Sequence, residues 1–376
     1  MSAATAGRIP LIDAAKGLAC AVIVGHHMAR YGPMAESAGT LAPALFGWLA
    51  EEGRLAVQVF LVIAGFLAAG SLAPEGVLRV DRPLLRVLSR YARLVMPYLV
   101  ALSCSVLIAA LVRPWLHDTA VPEAPVVAQL LAHGLLLQDL LGYEALSSGV
   151  WYVAIDFQLF VLALAVFWCA QKLERRWRVG AARARWLAIA PVLALAAVSL
   201  LVFNRHPALD DTALYFFGAY GLGMLSFWIG RATRISTWRW AALMLTLLGG
   251  AALAIDWRSR IALALVAALA ITVAQRRRWL ADAWPVALQP LLRLGALSYS
   301  LFLIHFPMIL LVNAVVDRWW PDRPWIALLG MGGAFALSLA AAELLYRQVE
   351  LRTVTWRAVL ALFAGLMACG ALSAAL

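Results

Sequence analysis

Apolar runs recur about every 30 to 40 residues along the chain, and many reach the roughly 20 residues that a helix needs to cross a bilayer. Trp186–Phe203, Ile261–Ala274 and Val354–Leu376 are examples. Helices of a soluble core of this size would each carry a polar face, and these carry almost none. The runs also lack the alternation, about 10 residues long, of outer-membrane strands, so helices must satisfy the backbone. Eleven spans are expected, near 11–29, 54–72, 92–112, 149–171, 186–203, 212–230, 239–256, 261–275, 296–316, 325–346 and 354–375. The pattern predicts an all-α, polytopic bundle of about 10–11 helices in one domain over residues 1–376.

The longest stretches between spans are Tyr31–Gly53 and Arg113–Ser148. Within the second, Val126–Leu141 is apolar, but it is short and interrupted by His133, Gln138 and Asp139. It reads as a re-entrant or interfacial helix packed against protein.

Composition sharpens this picture: hydrophobic residues make up 64% of the 376 and charged residues 14%. The net charge of +11 invites a nucleic-acid reading, but the basic residues cluster between helices rather than along one soluble face. With the N-terminus in the cytoplasm, eight of the 31 Lys and Arg fall outside and the remaining 23 inside. The positive-inside rule therefore favours that orientation and puts the C-terminus outside. No cleaved signal peptide is expected, because the first apolar stretch carries Asp13 and Lys16 and no small-residue cleavage site follows it. The four cysteines lie inside apolar helices and read as small packing residues.

Ionisable groups inside a bilayer are costly, so each is a candidate for function. At about 100° per residue, Lys16 and His27 lie within about 20° of each other on the first helix, with Asp13 on the same side. His26 points about 80° away. Asp13 and Lys16 equally mark a helix start. In Arg79–Arg93, the residues Arg86, Arg90 and Arg93 share a helical face, and guanidinium groups so arranged suit phosphates. An ordinary positive-inside loop is the plainer reading. The fourth span opens Ser148-Gly-Val-Trp151 and carries Asp156 and Gln158, with Tyr152 one turn before the aspartate. The ninth holds Ser298-Tyr299 and His305-Phe-Pro307. A histidine near mid-membrane is rarely idle, although a bond to a neighbouring hydroxyl would also account for it.

These segments together resemble the acyltransferase-3 family of integral-membrane O-acyltransferases. The opening Ile12-Asp13-Ala-Ala-Lys16-Gly17-Leu18-Ala19, with His27 eleven residues after Lys16, is similar to the family's Leu-Asp-x-x-Arg-Gly-Leu-Ala run and its histidine. Val59-Phe60 through Ala64-Gly65-Phe66 resembles the Phe-Phe-x-x-Ser-Gly-Phe signature. Arg86–Pro97 resembles the arginine-rich loop, Trp151–Asp156 the Trp-x-Leu-x-x-Glu signature and Ser298–Pro307 the Ser-Tyr-x-x-Tyr-x-x-His-x-Pro signature. Lys16 stands for the commoner arginine, Asp156 for glutamate, Gln58 for aspartate and Ala64 for serine.

The resemblance implies a multi-pass protein of the bacterial inner membrane. It would move an acyl group, acetyl by default, from cytoplasmic acyl-CoA to a hydroxyl of a glycan, a lipid-linked sugar or another exported acceptor. Acyl-CoA is then a co-substrate, with no bound cofactor, no metal and no nucleic-acid partner expected; membrane lipids surround the bundle. On this reading Lys16, Arg86, Arg90 and Arg93 bind the donor. His27 is the general base, helped by Asp156 or His305, or is itself transiently acylated. Asp13, Trp151, Ser298 and Tyr299 support these groups. No Gly-x-Ser-x-Gly elbow is present, so no sequence motif supports an acyl-serine. The six histidines lack ligand-pair spacing. The same buried groups also fit a proton relay in a transporter or glycan exporter, so that class stays open.

Overall fold

A computed structural model describes residues 9–78, 81–280 and 285–376. Arg79, in the arginine-rich segment, lies outside the described residues. The described chain is helical, with no strand in it. Among the described residues, eleven helical segments are long and apolar enough to cross a membrane, and each overlaps one expected span. The protein is a multi-pass membrane protein.

The chain begins with α1 (Pro10–Arg30), α2 (Pro33–Gly39), α3 (Pro43–Glu52), α4 (Val57–Leu72) and α5 (Pro83–Val112). A short α6 (Val127–Gly134) precedes α7 (Val150–Trp177), α8 (Ala181–Leu201) and α9 (Ala213–Gly230). The remainder is α10 (Ile235–Ile255), α11 (Ser259–Arg276), α12 (Gln289–Trp319), α13 (Pro324–Leu345) and α14 (Trp356–Ala375). Two differences from the periodicity stand out. Tyr31–Gly53 is not a loop: Pro33 and Pro43 each open a helix, as their fixed φ favours, and α3 runs on into α4 through a 3-10 turn at Gly53–Ala56. Arg86, Arg90 and Arg93 lie in the first turns of α5 itself, which continues past Pro97.

The helices fall into two compact units, and chain segments are shared between them. In its described part, the first unit takes the chain up to Lys16, Leu55–Val87 and Ile155–Leu292. Its centre is α9, of which 15 of 18 residues are buried, packed backbone to backbone against α4. A Cβ on Gly65 would collide with the Tyr220 carbonyl, and one on Gly223 with that of Val62. Small residues let membrane helices approach this closely, where dispersion replaces the hydrophobic drive that lipid does not supply. Buried hydroxyls seal the neighbours: Ser199 Oγ accepts the Gly218 N–H at 2.8 Å, and Ser226 Oγ donates to the Ala268 carbonyl at 3.0 Å. Gln158 Oε1 accepts the Ala213 N–H at the start of α9.

The second unit takes Gly17–Arg54, Leu88–Ala154 and Arg293–Leu376. Side-chain bonds to backbone tie it together. Asn313 Oδ1 accepts the Met34 N–H at 3.0 Å, and the Tyr299 hydroxyl donates to the Leu94 carbonyl at 2.8 Å. The Tyr91 hydroxyl donates to the Gly134 carbonyl at 2.6 Å, fixing α6 to α5. Among the described residues, α6 is only eight residues long, too short to cross, and it packs against α14. His133, fully buried at its end, donates from Nδ1 to the Gln129 carbonyl and accepts the Leu146 N–H at Nε2. Gln138 bonds to Asp139. Of the polar residues that break the apolar run, His133 thus satisfies backbone groups with both ring nitrogens, while Gln138 and Asp139 bond to each other.

A histidine relay in the second unit

The second unit brings together two of the predicted residues that are farthest apart in sequence. His27, near the end of α1, and His305, in the middle of α12, are both buried, at 7% and 0% exposure. Nε2 of His305 lies 2.9 Å from Nδ1 of His27. The other nitrogen of His305 is 3.1 Å from the Leu301 carbonyl, one turn back on its own helix. The other nitrogen of His27 is 3.3 Å from the Ser148 hydroxyl.

This geometry fixes the tautomers by elimination. A carbonyl can only accept, so Nδ1 of His305 carries the hydrogen. Nε2 of a neutral His305 is then an acceptor, and His27 must donate to it from Nδ1. That leaves Nε2 of His27 as a lone pair, with the Ser148 O–H donating into it. With both rings neutral, the relay runs Ser148, His27, His305, Leu301 carbonyl.

Aromatic rings hold the relay in position. Tyr31 lies edge-on to His27 at 5.6 Å between ring centres, and Phe306 packs against both at 6.2 and 5.4 Å. Phe306 belongs to a core of Val112, Leu116, Leu310 and Ala314, which keeps α12 against the end of α5. Ser148 sits just before α7, on a turn where Gly149 adopts φ +90°. A Cβ there would press to 3.0 Å on the Phe302 ring, so the turn is built for glycine. Ser148 itself is only half-buried, so the open side of the relay is its hydroxyl end. His26, by contrast, donates from Nδ1 to the Leu49 carbonyl at 2.9 Å and holds α3 in place.

The other candidates stand as follows. Arg90 and Arg93 lie on α5 within the second unit, Arg90 half-buried and Arg93 exposed. Trp151 opens α7, edge-on to Tyr152 at 6.2 Å. Ser298 is buried, and its carbonyl accepts from the Cys20 thiol at 3.4 Å. His305 therefore bonds to His27 and its own helix, and no bond joins it to the Ser298 hydroxyl. Tyr299 is engaged by Leu94. Asp13, Lys16, Arg86 and Asp156 fall in the first unit. There Lys16 Nζ pairs with Asp13 at 2.8 Å, Arg86 is exposed and Asp156 is 5% exposed. Gln58 is buried in the same unit, in a small polar pocket with Asn204, Tyr215 and Arg260. Of the two groups expected to assist His27, it is His305 whose nitrogen reaches it within the second unit. Sequence reasoning passed over Ser148: Ser-Gly before an apolar run reads as a plain turn, and nothing local marks it as the partner of a histidine 121 residues away.

A sequence model of the acyltransferase-3 family, described as an acyltransferase domain, matches residues 9–343, nearly the whole chain. The chain belongs to that family. It is a membrane acyltransferase, and the reaction class calls for an acyl donor and an acceptor. No curated protein and no solved structure matches it significantly.

Proposed function

We propose that the protein moves an acyl group, acetyl in the first instance, from cytoplasmic acyl-CoA to a hydroxyl of a glycan or another exported acceptor, in a bacterial inner membrane. The observation that carries this reading is the His27–His305 contact at 2.9 Å, which turns Nε2 of His27 towards a hydroxyl 3.3 Å away. Acyl transfer to an alcohol needs a base at that spot: the oxygen attacks the thioester carbonyl only as its proton leaves. His27 takes that proton at Nε2, and the imidazolium so formed keeps its Nδ1–H on His305. The same proton then goes to the departing thiolate. His305 is a positioning residue that locks the tautomer, much as the buried acid does in a hydrolase triad.

The donor's phosphates fit the guanidinium groups that the sequence puts on one face of α5, Arg86, Arg90 and Arg93. Lys16, Asp13 and Asp156 keep their assignments from chain spacing and family resemblance, and Trp151, Ser298 and Tyr299 support the helices that carry the relay.

The experiment is CoA release by purified protein in detergent, with acetyl-CoA and a panel of cell-envelope glycans. Wild type should turn over, and a monodisperse His27→Ala protein should lose about 100-fold or more, the usual worth of a general base. A folded wild type that neither binds nor cleaves any acyl-CoA offered sinks the reading and favours a proton relay for transport.

A further inference from the structure

We propose that Ser148 is the first acceptor of the acyl group, so that transfer passes through an acyl-serine ester. The inference rests on the acyltransferase reading above and adds a covalent step to it. Three observations carry it. Among the described residues, Ser148 Oγ is the hydroxyl bonded to the relay, 3.3 Å from the His27 nitrogen that His305 leaves unoccupied. Serine, a histidine and a second residue that fixes the histidine's tautomer make the arrangement that activates hydroxyl nucleophiles. The turn at Gly149, with φ +90°, holds Ser148 outside the helix, half-buried and ahead of α7. The first amides of that 28-residue helix follow immediately, at the end where the helix dipole favours negative charge.

The chemistry balances in two halves. Ser148 Oγ attacks the thioester carbonyl carbon while its proton passes to His27 Nε2; the C–S bond breaks, and the thiolate leaves with that proton as free thiol. An acceptor hydroxyl then attacks the serine ester, giving its proton to His27 Nε2. The C–O bond to Ser148 breaks, and the proton returns to Oγ. Donor and acceptor therefore need not occupy the relay together, and a soluble donor can depart before an exported acceptor arrives.

Two reagents test this on the full-length protein in detergent. A fluorophosphonate probe reports an activated serine without any acyl donor. It should label wild type at Ser148, located by peptide mass spectrometry, and should fail on Ser148→Ala. Labelling of His27→Ala should fall at least about 100-fold. Radiolabelled acetyl-CoA without acceptor should leave an ester on Ser148 that added acceptor discharges. In Ser148→Cys the label should become a thioester, cleaved by neutral hydroxylamine. The proposal is overturned if neither reagent marks Ser148, or if acetyl is recovered on His27 instead. It is equally overturned if Ser148→Ala transfers acetyl within about threefold of wild type, a loss too small for a missing nucleophile. His27-dependent turnover that survives Ser148→Ala removes the acyl-serine alone. Absence of CoA release by wild type removes the acyltransferase reading, and the fluorophosphonate result still decides whether Ser148 is activated.

Discussion

At the scale of single residues, the relay makes separable demands on its members. His305→Gln removes the ring nitrogen that fixes the His27 tautomer while leaving the substrate side untouched. Its kcat should fall by about 10- to 100-fold at nearly constant KM, whereas removing an arginine of the proposed donor site, as in Arg93→Gln, should raise the KM for acyl-CoA with kcat preserved. Steady-state kinetics on both variants separates the two roles. Gly149→Ala puts a side chain at φ +90° and against Phe302. That strain costs about 1–3 kcal/mol and displaces Ser148, so the variant should lose thermal stability and activity together. Of these residues the sequence displayed His27 and His305, because an ionisable group in an apolar run is conspicuous. Ser148 was silent, since a serine before a helix is the commonest of caps and its significance is its distance to a nitrogen far along the chain.

Helices were the most legible scale. Every expected span has a counterpart because bilayer thickness imposes length and lipid imposes composition. What periodicity could not give was the pairing of elements. Gly65 and Gly223 look like any glycines in apolar runs, yet they set the closest approach in the first unit. Gly65→Ala and Gly223→Ala should each abolish monodisperse protein, read by size-exclusion chromatography of a fluorescent fusion, while alanine at the open Gly250 should not. The short α6 makes a different prediction, because its end depends on a neutral histidine. Burial pushes His133 down to about 4 from an ordinary 6.5. The unfolded chain therefore takes up the proton as pH drops below 6.5, and the folded one holds it off to about 4. Stability from this group is complete above 6.5 and drains away as pH falls through that window, by about 3 kcal/mol in all. The melting temperature of wild type should fall between pH 7 and 4.5 more steeply than that of His133→Gln, in scanning fluorimetry.

For the whole molecule, we propose from the distribution of Lys and Arg that the N-terminus lies inside, so that an odd number of crossings would carry the C-terminus to the other face. A C-terminal alkaline phosphatase fusion should be active and a C-terminal green fluorescent protein fusion dark; the reverse pattern would invert the assigned faces. Segments distant in sequence, such as α1, α5 and α12, each contribute to both compact units, and no reading of local composition could have drawn that partition. One feature of the relay bears on the membrane itself. Buried histidines in a bilayer are stepping stones for hydrogen ions, and a chain of them short-circuits the gradient that a cell maintains across it. Here the chain stops at the Leu301 carbonyl, which can hold the last hydrogen but cannot pass it on or supply another. The pair is a cul-de-sac that hands a hydrogen ion back the way it came. Liposomes containing the protein should dissipate an imposed pH difference no faster than empty ones, so the cell can keep this chemistry switched on without running down its own battery.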